Sequence, residues 1–370
     1  MSVASNNFLP ALSKVFSSDI VKWQKSHGRN SLPWQNTRDP YRVWLSEIML
    51  QQTQVGTVLT YYAKFLQRFP AVADLAAAPL DDVLGLWSGL GYYSRARNMH
   101  RCAQQIMALH AGVFPATAVQ LQTLPGIGPS TAAAIASFCF AERVAILDGN
   151  VKRVLTRALA FSGDLSQGAQ ERQLWSLATA LLPAHDLTEM MPRYTQGLMD
   201  LGATVCTLRK PLCATCPVQG LCQGFMTGEP EKYPVKTRKL KRSAQKLSLL
   251  WAKRPDGSVW LERRPISGIW GGLYCLPVFD TNEELKAFLP EQLHSRMESL
   301  RPFKHVLTHK DLHLSPVIAG FSAEQNMPLK APTTHGVKEP EVIGAWFSAG
   351  QWPALGLPAP VRKLLLDEAL

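Results

Sequence analysis

The stretch Leu124-Pro125-Gly126-Ile127-Gly128-Pro129-Ser130 decides how this chain is read. Two glycines on either side of one apolar residue make a tight turn whose backbone N–H groups can point outward together. Pro129 suits the first turn of a helix, where a missing N–H costs nothing, and Thr131 to Phe140 continues as an alanine-rich helix. A glycine turn feeding a helix N-terminus is an anion site, here shaped for a nucleic-acid phosphate. Taken alone, the same pattern also fits an ordinary corner between two helices. Downstream, Val144 to Leu147 is a short extended apolar run entering Asp148-Gly149-Asn150. Val151, Val154, Leu155, Ala158 and Leu159 then share one helical face, so Asp148 falls at or just before a helix N-terminus. The positive end of that helix is expected to keep the carboxylate ionised.

At 370 residues the chain is long enough for two or three domains with proper cores. A formal charge of +11, with ten Trp and eight Tyr, points to nucleic acid rather than a membrane as the polyanionic partner. No apolar run reaches the length of a membrane span. The N-terminus lacks the charged region, apolar core and cleavage site of a secretory signal. Seven cysteines are an odd number, and Cys206, Cys213, Cys216 and Cys222 cluster with the spacing C-x6-C-x2-C-x5-C. That argues for metal chemistry in a reducing cytoplasm and against a disulfide scaffold. Four thiolates this close suit either tetrahedral zinc or a cubane iron–sulfur cluster.

Leu12, Val15, Phe16, Ile20 and Trp23 predict an amphipathic first helix. Asp39-Pro40 caps a second helical stretch from Tyr41 to about Arg68, with at most a break at Gly56. Within it Glu47 sits among Trp44, Ile48 and Leu50, as either a paired structural group or an acid tuned by desolvation. Pro79 to Trp87 reads as a short helix ending at Gly89. Leu90-Gly91-Tyr92-Tyr93-Ser94-Arg95-Ala96-Arg97 follows, a tip able to press into a base stack while its arginines neutralise phosphates. The alternative has the tyrosines in the core. Further helices are expected from Ala169 to Leu182 and from Pro192 to Gly202. The basic stretch 224–246 reads as a linker that hugs a polyanion. After it, Leu247–Ala252 and Ser258–Glu262 form a hairpin, Asn282–Leu289 a helix, Leu312 to Ile318 a strand broken by Pro316, and the tail from Pro360 a helix. This is a smaller α+β domain.

Together these stretches resemble the helix-hairpin-helix DNA glycosylases, and most closely the adenine DNA glycosylases of the MutY type, relatives of endonuclease III. The motifs carrying the resemblance are Trp44 to Gln54 (WLSEIMLQQTQ), Leu90 to Asn98, Leu124 to Ser130, Ile146 to Arg153, the four cysteines, and Trp270 to Pro277 (WGGLYCLP). The resemblance implies a multidomain chain. An all-α helix-hairpin-helix glycosylase region at 1–223 would comprise a six-helix barrel at about 33–143 and a cluster subdomain from 1–32 plus 144–223. A linker at 224–246 and an α+β MutT (Nudix)-like domain at 247–370 would follow. It implies one 4Fe–4S cluster on Cys206, Cys213, Cys216 and Cys222. It implies duplex DNA with adenine opposite 8-oxoguanine or guanine as substrate, and an abasic site as product. A monomer without membrane attachment, working in the cytoplasm on the nucleoid, goes with it. By the same resemblance Glu47 is the general acid, Asp148 the carboxylate facing the sugar, and Ser130 and Asn150 support the site. Gln196 is a contact to the extruded adenine, and Gln52, Thr53, Leu90 and Tyr92 probe and wedge around the oxidised base. Gly126 and Gly128 meet the DNA backbone, and Lys152 lies close enough to trap an abasic site adventitiously.

The chemistry of the residues agrees. Protonating adenine at N7 makes it a leaving group, and the sugar passes through an oxocarbenium-like state. One carboxyl must then be protonated near neutrality while the other stays anionic. Desolvation is expected to lift Glu47 from about 4.3 toward ~6. Endonuclease III-like enzymes carry a lysine where this chain has Ser130, so a glycosylase with little or no lyase activity is expected. A lyase and a non-catalytic DNA-binding protein are the competing readings. Ser130 and the C-terminal domain speak against the first, and the joint presence of Glu47 and Asp148 against the second. A Nudix hydrolase would need a run of glutamates for magnesium, and after Gly271-Gly272 there are only Asp280, Glu283 and Glu284. The family instead inspects 8-oxoguanine through a Phe-Ser-His motif. Here the matching place reads Leu307-Thr308-His309, which keeps a hydroxyl on Thr308 and the imidazole of His309, while one of His305 and His309 is expected to pack within a strand.

Overall fold

A computed structural model describes residues 8–238, 241–328 and 344–367. The chain divides into two compact units. One comprises Met1–Ala76 with Arg101–Lys239, the other Ala77–His100 with Leu240–Leu370. Residues 77–100, which lie within the helical stretch of the sequence, therefore cluster with the C-terminal residues.

The first unit is all helical. Phe8–His27 packs on Leu187–Thr204, which also meets Gly149–Ala158 and Pro129–Phe140, and Pro40–Leu50 lies against Pro129–Phe140. Phe16, Ile20, Leu155, Leu174, Tyr194, Leu198 and Leu201 form the centre of one core. The apolar stripe of the first helix is rotated from the expected one: Val21 is buried and Val15 is 48 % exposed. The second helical stretch breaks at Gln51–Gln54 and not at Gly56, because Gln52 takes a left-handed φ of 56° and Gln54 is the extended cap of Val55–Arg68. The helix expected from Pro192 starts five residues earlier, at Leu187. Pro192 cannot donate to the Thr188 carbonyl one turn back, and Arg38 Nη2 donates to that oxygen at 3.0 Å instead. The basic stretch is less free than a linker would be. Leu165 N–H donates to Val235 O at 3.1 Å, and the Thr237 hydroxyl donates to Asp164. Lys239 of that stretch lies outside the described residues.

The second unit is built on a mixed sheet of β1 (Ser243–Lys253), β2 (Val259–Arg263), β3 (Tyr274–Cys275), β4 (Val278–Phe279), β5 (Met297–Ser299), β6 (Phe303–Val306), β7 (Lys310–Gly320) and β8 (Gly344–Phe347). The main path runs β3-β2-β1-β7-β5, with β1 and β7 parallel over their whole length from Ser243↔Lys310 to Lys253↔Gly320. That pairing starts β1 four residues ahead of Leu247. One face buries Leu249, Leu261, Leu312 and Leu314 against the C-terminal helix Ala359–Asp367, and the other buries Leu250, Val317 and Ala319 under Asn282–Phe288. Pro316 does not break β7. The neighbouring chain passes from β5, opposite Val317–Ala319, to β6, opposite Asp311–Leu314. The Pro316 carbonyl accepts from Leu300 N–H on that side at 2.9 Å, so the missing N–H falls at the gap between two partner strands. Among the described residues no helix is long and apolar enough to cross a membrane.

Candidate active site

Glu47 rides on Pro40–Leu50, a helix started by Pro40 and capped by Asp39, whose carboxylate accepts the Tyr41 N–H at 2.9 Å. It looks into a cavity of about 670 Å³ that is also lined by Gln52, Thr53, Ser130, Asp148, Asn150 and Gln196. Ser130 is the second residue of Pro129–Phe140. Asp148 caps Gly149–Ala158, its Oδ1 accepting the Val151 N–H at 2.7 Å. Asn150 Oδ1 accepts from Arg153 Nη2 at 2.8 Å, and Gln196 Nε2 donates to Asp200 Oδ1 at 2.9 Å. A second cavity, of about 570 Å³, shares Trp34, Glu47 and Gln196 with the first. Glu47 is thus lined by space on two sides.

Burial and then the charge of Asp148 push the Glu47 carboxyl up to about 8. This exceeds the ~6 expected, with burial the larger cause and the charge of Asp148 the smaller. Asp148 is also raised, by burial, against the earlier expectation that its helix would simply hold it down. The N–H groups of Val151 and Asn150 and the cations of Arg153 and Lys152 pull it back. No hydrogen bond reaches the Glu47 carboxyl among the described residues, so no donor offsets the rise there as the Val151 and Asn150 N–H groups do at Asp148.

In the hairpin, Gly126 has φ 78° while Ile127 is buried. Gly128 has φ −85° and a side chain there would meet nothing within 4 Å. The fold tolerates any residue at 128, and the open backbone face is what an approaching phosphate needs. Lys152 is absent from the cavity lining, and its ammonium is paired with Glu171. Residues the sequence did not single out complete the cavity. Arg29 pairs with the fully buried Asp200 at 2.7 Å, and Trp34 and Arg153 are lining residues. Gln196 and Asp200 stand four apart on one helix, a spacing that could have announced their pairing.

Cys206, Cys213, Cys216 and Cys222 line one small cavity with Arg157. They surround it without converging: among the described residues no three His, Cys, Asp or Glu side chains stand close enough to share one metal ion. Burial raises the thiols of Cys213, Cys216 and Cys222. Arg157 is buried, and its guanidinium donates to Cys206 Sγ at 3.4 Å, Thr207 O at 2.6 Å and Leu208 O at 3.0 Å. Arg153 Nε donates to the Cys206 carbonyl at 2.7 Å.

The second unit holds the remaining residues. Leu90 is buried, so it is not an exposed wedge as expected, whereas Tyr92 is 43 % exposed at φ 49°. The arginines do not face outward either. Arg95 lies over the Trp87 and Tyr92 rings and donates to Leu90 O and Gly91 O, and Arg97 Nη1 donates to Gly271 O. The exposed Thr308 hydroxyl bonds the Tyr92 hydroxyl. His309 is exposed, and its carbonyl accepts from Ser243 N–H. His305 sits in β6 near the Trp270 ring, its imidazole pushed down by burial.

Known proteins show the same combination. The signature of the HhH-GPD superfamily of base excision DNA repair proteins matches residues 45–179, and that of the NUDIX domain residues 249–367. The adenine DNA glycosylase of Buchnera aphidicola subsp. Acyrthosiphon pisum (strain APS) is 36 % identical over 353 residues, 95 % of this chain and 97 % of that protein. The chain belongs to the adenine DNA glycosylase family. The Homo sapiens adenine DNA glycosylase is 43 % identical over 227 residues, covering 59 % of this chain and 40 % of the human protein. A thermostable thymine-DNA glycosylase structure superposes with a TM-score of 0.51 at 29 % identity, over 59 % of this chain and 98 % of that one. The enzyme is a DNA glycosylase of base excision repair, with a helical helix-hairpin-helix region followed by a Nudix-like α+β domain. For the hairpin, Gly128→Leu is expected to leave the thermal midpoint where it is and to weaken duplex binding roughly tenfold. Unchanged affinity in a filter-binding titration would mean that no phosphate approaches there.

Proposed function

We propose that this enzyme removes adenine standing opposite 8-oxoguanine or guanine in duplex DNA, with Glu47 as general acid and Asp148 as the anion facing the sugar. The observation that carries the reading is the pair of carboxyls lining one cavity, with Glu47 raised to about 8 by burial and by Asp148. Near neutrality Glu47 therefore holds a proton to give to N7 of an extruded adenine. As the glycosidic bond lengthens, positive charge grows on the sugar, and the Asp148 carboxylate, fixed by the Val151 N–H, stabilises that cation or traps it covalently. Water then completes hydrolysis and leaves an abasic site. Gln196, held by Asp200, is the contact to the base, and Asn150, held by Arg153, orders the sugar side.

Ser130 has no amine and Lys152 is committed to Glu171, so no Schiff base forms and base loss is uncoupled from strand cleavage. Gln52 and Thr53 belong to the cavity mouth. Tyr92 and Thr308, joined by their hydroxyls, read the base opposite adenine, with His309 beside them. Cys206, Cys213, Cys216 and Cys222 hold one 4Fe–4S cluster: thiolates spread around a cavity suit a cluster that brings its own sulfide better than one ion bound at a point. When bound, it ties the loop 206–222 and so presents Arg209 and Lys210 to DNA. The enzyme acts as a monomer in the cytoplasm, on the nucleoid.

Four outcomes test this reading. Glu47→Gln is expected to slow adenine release ~10²–10⁴-fold while mismatch binding survives. In the parent enzyme, single-turnover rates should fall as pH rises through about 8, where the raised Glu47 gives up its proton. A flat profile from pH 6 to 10 would remove Glu47 from the acid role. With duplexes carrying adenine opposite 8-oxoguanine, strand breaks should form after alkali and not before it, and breaks without alkali would establish a lyase. Purified protein should contain iron and inorganic sulfide, and zinc in their place would replace the cluster assignment.

A further inference from the structure

Ser88 and Tyr93, on either side of the tip Leu90–Tyr92, are held by residues of the C-terminal half of the same unit. The helix Leu80–Leu86 lies so close to the 3-10 turn Trp352–Ala354 that a side chain at Gly85 would come within 2.2 Å of the Ala354 carbonyl. One residue group then ties the chain between this helix and the tip. Arg362, on the C-terminal helix Ala359–Asp367, donates from Nε to Ser88 Oγ at 2.9 Å, while its other nitrogens hold Pro353 O and Leu355 O at 2.9 and 2.7 Å. The Leu357 carbonyl takes the Tyr93 hydroxyl at 2.7 Å and the Ser88 hydroxyl at 3.3 Å. Arg263 pairs with Asp81 at 2.7 Å at the start of the same helix. Between these anchors, Tyr92 keeps a left-handed backbone, which a side chain of its size adopts when its surroundings enforce it.

We propose that Arg362 and Ser88 form a clamp that sets Tyr92 against Thr308, making both of them positioning residues for discrimination of the base opposite adenine. A guanidinium with three fixed acceptors holds direction as well as distance. Released from it, Ser88 and the turn behind it gain freedom, and Tyr92 can leave its left-handed conformation and move off Thr308. The chemistry at Glu47 is untouched by that change. The clamp therefore acts on the choice of substrate and leaves the step of bond breaking alone. This rests on the reading that Tyr92 and Thr308 face the oxidised base.

The test measures single-turnover adenine release by the full-length enzyme, from duplexes with adenine opposite 8-oxoguanine and opposite guanine, together with the thermal midpoint. Arg362→Ala and, from the other side, Ser88→Ala are expected to lower the ratio of the two rates, Arg362→Ala by about tenfold and Ser88→Ala by less. The rate opposite guanine should stay within about twofold of the parent. Ser88→Ala removes one hydroxyl and keeps the experiment decisive if Arg362→Ala folds poorly. A parallel fall of both rates in Ser88→Ala with a lowered midpoint, or an unchanged ratio in both variants, overturns the clamp. Tyr92→Ala and Thr308→Ala separate the two ideas. If they lower the ratio and Arg362→Ala and Ser88→Ala do not, the clamp fails and the lesion reading stands. If neither Tyr92→Ala nor Thr308→Ala changes the ratio, the lesion reading fails.

Discussion

Two like charges drawn into one desolvated cavity dominate this molecule. Glu47 and Asp148 come from helices far apart in the chain, and each is harder to ionise for being buried. The tie is broken by backbone donors. Asp148 caps its helix with N–H groups aimed at it that offset its rise, while the Glu47 carboxyl has none. Moving Asp148 by one residue would remove the donors from its carboxylate and erase the difference between the two groups. The cap geometry, more than the carboxylates themselves, is what separates acid from anion.

That dependence extends along the helix Gly149–Ala158. Its first turn supplies Asp148 and Asn150 to the cavity, and its later turns carry Arg153 and Arg157 into the cysteine loop. A rod of ten residues thus has two cavity-lining groups at one end and the loop's carbonyl and sulfur acceptors at the other. The buried guanidinium of Arg157 is tolerable because the Cys206 sulfur and the Thr207 and Leu208 carbonyl oxygens surround it. Order in the cysteine loop and the aim of Asn150 are therefore mechanically related through packed side chains.

How much of this could be read from the residues depends on how local the cause is. The hairpin at Gly126–Gly128, the proline start of Pro129–Phe140 and the Asp148 cap are local and were legible, as was the cysteine cluster from its spacing alone. Glu47 was legible as an acid held in apolar company, yet its full rise was not, since the charge that adds to burial comes from a residue a hundred positions away. The helix break at Gln51–Gln54 was missed because Gln52 takes a glycine-like φ that its side chain does not advertise. Arg95 and Arg97 were misread for a related reason. A sequence displays their charge, and only packing reveals that rings and carbonyls consume it. Pro316 misled in the opposite sense, because the gap between β5 and β6 that excuses it is set by residues elsewhere in the sheet.

Residues 77–100 show where chain order and contacts part company. By sequence they sit inside the helical region and match its family signature, yet their hydrogen bonds go to the C-terminal residues: Ser88 to Arg362, Tyr93 to Leu357, Arg97 to Gly271, Asp81 to Arg263. The tip of this segment carries Tyr92, and Tyr92 meets Thr308. The Tyr92–Thr308 contact and the contacts that fix Ser88 and Tyr93 beside it thus belong to one unit.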